Sequence, residues 1–432
     1  MKRLYSYILA GCMLLAACGD DGDGNTGKGP GETGGEGGGD TPSATLTGYA
    51  APGGVLILSG GTYTQENAFL TFITPEGEAE NNVYAQANGA ELGNDGVGLY
   101  MCGGKQYILC NDWRTAEGKG NAGLLTVADA VTLKKEMSFK RADMVFKHPV
   151  NDVMEEVDES LGGIAVLDER NVFIFAQGVL RFDCTTGELT LVEGAYAIGN
   201  KGSANTVEST VSPRGAVTIG GCMYAATGGF WTNAALLEFA KGKDEVNRSL
   251  DLPRGDLVSG ICVTDDGTLV VATYLRGKNS GYLYFIDIDS WKIKEEKTIA
   301  ANISPGSSSN SGITYLNGYI YFTGADETEF TSAMHTTLSR YSVETGRVEK
   351  DIVDFKADEP MANLVDCGVV ADRKSGYIYV ATSDTRWEGV IPQSAILVYD
   401  CNGDTPKLVK KYSGVTHSVS GIYPMSVFAT AD

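Results

Sequence analysis

The chain is poor in histidine, proline and positive charge. Three of its 432 residues are histidine and 12 are proline, and 34 lysines and arginines face 55 aspartates and glutamates for a formal charge of -21. Such a surface repels a phosphate backbone, which excludes DNA and RNA as partners. The few prolines exclude a Pro-rich linker protein. His148, His335 and His417 lack the short spacing of a metal site, so no metal is implied. Also missing are His-Glu-x-x-His, Gly-x-Ser-x-Gly, Cys-x-x-Cys and a phosphate-binding glycine loop. Without them no cofactor is implied, and the reading favours a protein that is not an enzyme. No apolar run reaches the roughly 18 residues of a membrane-spanning helix. What is present is apolar material for a core, at 43%, and 56 glycines, which together describe a globular chain that turns often.

Residues 1–17 begin with Lys2 and Arg3, continue through an apolar stretch from Tyr7 to Leu15, and end in Leu15-Ala16-Ala17 before Cys18. This resembles a bacterial lipoprotein signal peptide, which implies that Cys18 is lipidated and becomes the first mature residue. The acids Asp20, Asp21 and Asp23 that follow look like the tag that sends lipoproteins of Bacteroidota to the outer face of the outer membrane. Residues 18–45 are rich in glycine and acid and nearly devoid of large apolar residues, so they form no core and act as a flexible tether. A random coil of that length reaches roughly 30 Å. The remaining stretch, 46–432, reads as a single domain.

That domain repeats. Gly163, Gly260, Gly312, Gly368 and Gly421 each open a short apolar strand, with Gly98 and Gly215 fitting more loosely, at intervals of 45 to 65 residues. A tight turn such as Asp265-Asp266-Gly267 or Asn317-Gly318 follows, then a second apolar strand, a variable loop, a third strand and a charged fourth. Apolar inner strands and a charged outer one describe a β-propeller blade. The first unit has strands from Val55, Ala68 and Glu78 but no opening strand, whereas the last opening strand, from Gly421, has no partners of its own. Placing the last strand innermost in the first blade predicts an all-β, seven-bladed propeller closed by its C-terminal strand.

Gly54-Val-Leu-Ile-Leu-Ser-Gly-Gly61, Asn88-Gly89, Leu92-Gly93, Tyr224-Ala-Ala226 and Gly376-Tyr-Ile-Tyr-Val380 together resemble the YncE-like propeller lipoproteins of Bacteroidota. The resemblance runs from about residue 53 to the end and rests on structural glycines and strand apolars. One branch, the BtuG-type proteins, captures corrinoids above an outer-membrane cobalamin transporter. A corrinoid ligand and a TonB-dependent transporter as partner are what this kinship implies, with the protein anchored by lipid on the extracellular side of the outer membrane.

In a propeller, the loops between second and third strands emerge at the same end of the ring as the connections between blades. Here those loops carry Tyr63, Trp113, Arg114, Phe230, Trp231, Tyr274, Arg276, Phe330, Arg386 and Trp387. Aromatic faces and guanidinium groups over one opening suit a large, partly planar ligand through stacking and charge-assisted hydrogen bonds. The same residues also suit packing between neighbouring loops. His148, His335 and His417 map near this end, as solvated or loop-capping side chains, and the acidic stretch from Asn151 to Glu159 reads as a solvated loop. Cys102, Cys110, Cys222 and Cys262 read as buried small residues, and Cys184 and Cys401 as equivalent turn positions too far apart to pair. The leading expectation is a surface lipoprotein that captures a nutrient. A propeller lyase or hydrolase and an interaction scaffold without a small ligand are the alternatives, and ordered acid and base groups at the channel mouth would favour the enzyme. The anchor is directly testable. Cys18→Ala is expected to abolish lipid attachment, and deleting Asp20 to Asp23 to leave the protein membrane-bound but hidden from external protease. Full protease access to the deletion variant on intact cells would refute the tag.

Overall fold

Close approach explains the glycines of the inner strands, although Gly98, Gly215, Gly260 and Gly421 stand within their strands and do not open them as the sequence suggests. In the computed structural model, which describes residues 46–62, 65–112, 123–158, 161–201, 204–229, 232–275, 280–305, 310–325, 336–385 and 390–428, a Cβ on Gly260 would stand 2.1 Å from the Ser311 hydroxyl. One on Gly368 would stand 1.9 Å from the Ser311 carbonyl oxygen. Only a residue without a side chain lets these segments approach so closely.

Seven up-and-down antiparallel sheets result, five of four strands and two of five, the innermost position of blades 6 and 7 being split into two short strands. The innermost strands are Val419–Pro424, Gly96–Cys102, Gly163–Asp168, Val211–Ile219, Leu257–Val263, Ile313–Leu316 and Val370–Asp372, in blades 1 to 7. Each touches the next, and the seventh touches the first. The molecule is a seven-bladed β-propeller. In blade 5 the second strand, Leu269–Tyr274, is buried almost throughout, while the fourth, Lys292–Ile299, is largely exposed. Facing blades sandwich apolar side chains between them, as Val55 and Ile57 of blade 1 do with Tyr379 and Ile396 of blade 7. The outer strand of blade 7, Lys407–Ser413, is exposed and studded with lysine, which discourages edge-to-edge pairing with another molecule. Turn chemistry matches the sequence: Asn317 and Gly318 have φ of 51° and 81°, the two left-handed residues of a hairpin turn.

The C-terminal strand closes the ring as the sequence predicts. Val55 pairs with Pro424, Leu56 with Tyr423, Ile57 with Ile422 and Leu58 with Gly421. The pairing is extended by backbone bonds at both ends, from Gly60 N–H to the Ser418 carbonyl at 2.9 Å and from Met425 N–H to the Gly54 carbonyl at 2.9 Å.

The centre of the ring is bridged rather than open. The Tyr100 and Thr218 hydroxyls, from blades 2 and 4, meet at 2.6 Å across the width of blade 3. Asn310, just ahead of the inner strand of blade 6, exchanges both amide hydrogen bonds with Ile422 of blade 1, accepting from its N–H at 2.8 Å and donating to its carbonyl at 3.2 Å. The Ser311 hydroxyl accepts from the Ile261 N–H at 2.9 Å. Two hairpins not foreseen from the sequence are inserted between blades, Val145–Lys147 with Met154–Glu156 and Tyr196–Lys201 with Ala204–Ser209.

Two outcomes follow for stability. Removing residues 421–432 takes Ile422, Tyr423, Met425 and Val427, all buried, out of the core. At about 1.5 to 3 kcal/mol per side chain, the loss is about 6 kcal/mol or more, and an unchanged melting temperature would refute the closure. Burial also pushes Tyr84, Tyr284 and Tyr321 up from 10.0 to about 12. In the unfolded chain these phenols ionise near their ordinary value, whereas in the native protein they hold their protons. Their contribution is therefore complete below pH 10 and lost as pH rises from 10 to 12. Thermal melts across that range should fall, and spectrophotometric titration of the native protein should show these tyrosines ionising late.

Candidate functional site

The connections between second and third strands, and those between blades, leave the ring at one end. Of the residues that the sequence places there, Tyr274 is described: it ends the second strand of blade 5, pairs with Gly281 across the ladder and is partly exposed. Tyr63, Trp113, Arg114, Phe230, Trp231, Arg276, Arg386 and Trp387 lie outside the described residues, as do Phe330, His335 and Cys18. The strands that flank the ligand candidates are described and end on this side: Ser59 and Phe69, Cys110 and Leu125, Tyr274 and Gly281, Ser383 and Ser394.

The described part of this end holds a cavity that no sequence motif foretells. It has a volume of about 210 Å³ and lies at the seam between blades 7 and 1. Glu66 and Asn67 reach it from the connection between second and third strands of blade 1, Phe69 from the start of the third strand, Asn82 and Glu91 from the stretch leading to blade 2, and His417 from the connection out of blade 7. The His417 Nδ1 lies 3.0 Å from Glu66 Oε2 and 3.2 Å from Oε1, so the ring N–H donates to the carboxylate. Thr62 donates its hydroxyl to the same Oε2 at 3.0 Å. The Asn67 amide, almost wholly buried, donates to Glu91 at 3.1 Å. The Phe69 and His417 rings meet edge to face at 5.7 Å.

Main-chain contacts fix the walls. The Thr71 hydroxyl donates to the Val415 carbonyl at 2.7 Å, His417 N–H donates to the Ser59 hydroxyl at 3.1 Å, and the Asn94 amide donates to the Glu66 carbonyl at 3.2 Å. Glu66 and His417 are 351 positions apart, so the seam exists only because the last strand returns to the first blade.

His148 differs from its expected solvated state. It is fully buried in the first inserted hairpin, where its Nδ1 accepts from the Val150 N–H at 3.1 Å. The acidic stretch after it forms part of the same hairpin, with Lys147 paired to Asp152 at 2.7 Å. Among the described residues no three His, Cys, Asp or Glu side chains converge as a metal site would require. Cys102, Cys110, Cys184, Cys262, Cys367 and Cys401 are buried free thiols, and Cys222 is partly exposed. Burial pushes the Cys184 and Cys262 thiols up to about 12, so they stay protonated and inert.

With this geometry in hand, residues 53–418 match the family described as Domain of unknown function (DUF5074). The chain belongs to that family. No curated protein matches this DUF5074 chain significantly. Among solved structures it is similar to a quinonprotein alcohol dehydrogenase-like protein from Bacteroides thetaiotaomicron VPI-5482, at 17% identity over 86% of this chain and 78% of that one, with a TM-score of 0.57. It is also similar to a provisionally assigned 6-phosphogluconolactonase from Bacteroides uniformis ATCC 8492, at 12% identity over 85% and 98% of the two chains and a TM-score of 0.49. A third likeness is Kuenenia stuttgartiensis hydrazine synthase, at 16% identity over 71% and 77% and a TM-score of 0.44. At 17% identity the first of these likenesses speaks for the propeller fold of the DUF5074 domain and not for a shared activity.

Proposed function

We propose that this protein is a surface lipoprotein that captures a nutrient ligand over the loop end of its propeller and passes it to a TonB-dependent outer-membrane transporter, with a corrinoid as the first ligand. The supporting observation is topological. The strand ends that flank Trp113 with Arg114, Arg276, and Arg386 with Trp387 all face one side of a ring whose centre is bridged by Tyr100, Thr218, Asn310 and Ser311. A ligand therefore rests on that end and does not thread the ring. Indole faces and guanidinium groups gathered there match a broad, flat molecule edged with amides or acids.

Calorimetry with cyanocobalamin tests the reading. Trp113→Ala, Trp231→Ala and Trp387→Ala should each weaken binding by roughly 1 to 3 kcal/mol, as truncation of an aromatic anchor does. The control belongs at the opposite end, in the turns between first and second strands. Lys374→Ala is the suitable one, because Asp266 accepts the Thr268 N–H at 3.2 Å and so holds its own turn together. Binding that survives all three tryptophan changes, or that fails equally with Lys374→Ala, would overturn the assignment. If cyanocobalamin does not bind, thermal-shift screening against haem, siderophores and glycans identifies the ligand class, since a ligand at a hundred times its Kd adds about 2.7 kcal/mol.

A further inference from the structure

We infer that the cavity at the seam between blades 7 and 1 is a second binding site, one that takes a small neutral, hydroxyl-rich ring such as a monosaccharide unit. It is separate from corrinoid capture and does not rest on it.

Size comes first. A volume of about 210 Å³ equals roughly seven waters at their ~30 Å³ share of the liquid, and lies below the ~300 to 1,000 Å³ of sites for drug-sized ligands. One six-membered ring with its substituents is the scale of guest that fits.

Chemistry then selects the guest. Glu66 and Glu91 supply carboxylate acceptors, Asn82 supplies an amide that both gives and takes hydrogen bonds, and His417 supplies an imidazole, while the Asn67 amide donates to Glu91 and holds it in place. Two carboxylates repel a phosphate or another carboxylate. An ammonium group brings donors alone and can give nothing for the Asn82 amide N–H to donate to, whereas a hydroxyl can. A hydroxyl is donor and acceptor at once, and neighbouring hydroxyls on a ring can meet a carboxylate and an amide side by side. Phe69 adds an apolar surface to the same wall, against which the C–H face of a sugar ring can rest.

The site is also preformed. Glu66 is held by both Thr62 and His417, Glu91 is held by Asn67, and the three chain segments that form the walls are joined by hydrogen bonds between Thr71 and Val415, His417 and Ser59, and Asn94 and Glu66. A guest therefore meets polar groups that are already aimed, and little ordering entropy opposes binding.

Calorimetry of the purified protein with glucose, galactose, mannose and N-acetylglucosamine is the test, with ethanolamine and inorganic phosphate as comparison probes. At least one sugar should bind saturably with one site per chain. Glu66→Gln and Glu91→Gln, which keep side-chain shape and remove charge, should each weaken it about tenfold or more. Asn81 lies on the exposed rim of the same cavity, so Asn81→Ala poses little threat to folding and should weaken the sugar severalfold even where a glutamate variant fails to fold. Lys374→Ala, in a turn at the opposite end of the ring, should leave sugar binding unchanged. The inference is overturned if no sugar binds at about 50 mM, far above a millimolar Kd, if ethanolamine or phosphate binds better than every sugar, or if the folded variants bind sugar as tightly as the parent.

Discussion

Everything in this molecule depends on one antiparallel pairing, that of the strand Val419–Pro424 with Val55–Ser59. Six blades are built from consecutive stretches of chain and need only their own turns. Blade 1 alone joins strands from the two ends of the described chain, through this pairing. Without it, Val55 and Ile57 lose the inner strand beside them, and blade 7 loses part of the apolar face on which Tyr379 and Ile396 rest. A ring has no free inner edge only while it is complete, so closure turns seven small sheets into one cooperative body.

The centre and the seam divide the polar work of the structure. At the centre, Asn310 is matched to both polar groups of the Ile422 peptide, and Tyr100 to Thr218, so buried donors find partners and the inner strands are locked in register. Buried amides and hydroxyls are costly when unmatched and rigidifying when matched. At the seam between blades 7 and 1, the chain instead leaves a concave space walled by carboxylates, amides and an imidazole. Rigidity at the axis is what allows the ring end to be shaped by its connections without loss of the fold.

Much of this was legible in the sequence, for reasons that can be named. The glycines at 260 and 368 mark inner strands because close approach tolerates no Cβ, and that steric demand recurs from blade to blade. Asn317-Gly318 and the charged fourth strands announce themselves by turn chemistry and by contact with water. The C-terminal strand was readable because an unpaired strand at each end of the chain admits few solutions. Other features left no local trace. The hairpin Tyr196–Lys201 with Ala204–Ser209 carries polar and small residues that break the alternation of a buried strand. His148 sits in a short, charged stretch, yet its burial is set by what folds over it. Asn310 is one asparagine in a polar run, and nothing nearby says that its partner is Ile422. Glu66, Glu91 and His417 belong to no motif, because the cavity is made by the join of the two chain ends and not by any continuous segment.

That join also dictates the order in which the molecule can come into being. A chain is synthesised from its N-terminus, so Val55–Ser59 emerges hundreds of residues before the strand that completes its sheet. Until Ile422 and its neighbours arrive, the first blade exposes an apolar edge of the kind that invites mispairing or aggregation. Blades 2 to 6 can form meanwhile from local hairpins, whose loops close quickly. The last contact made is also the one of greatest sequence separation, which makes ring closure the slow step expected of a topology rich in non-local pairing.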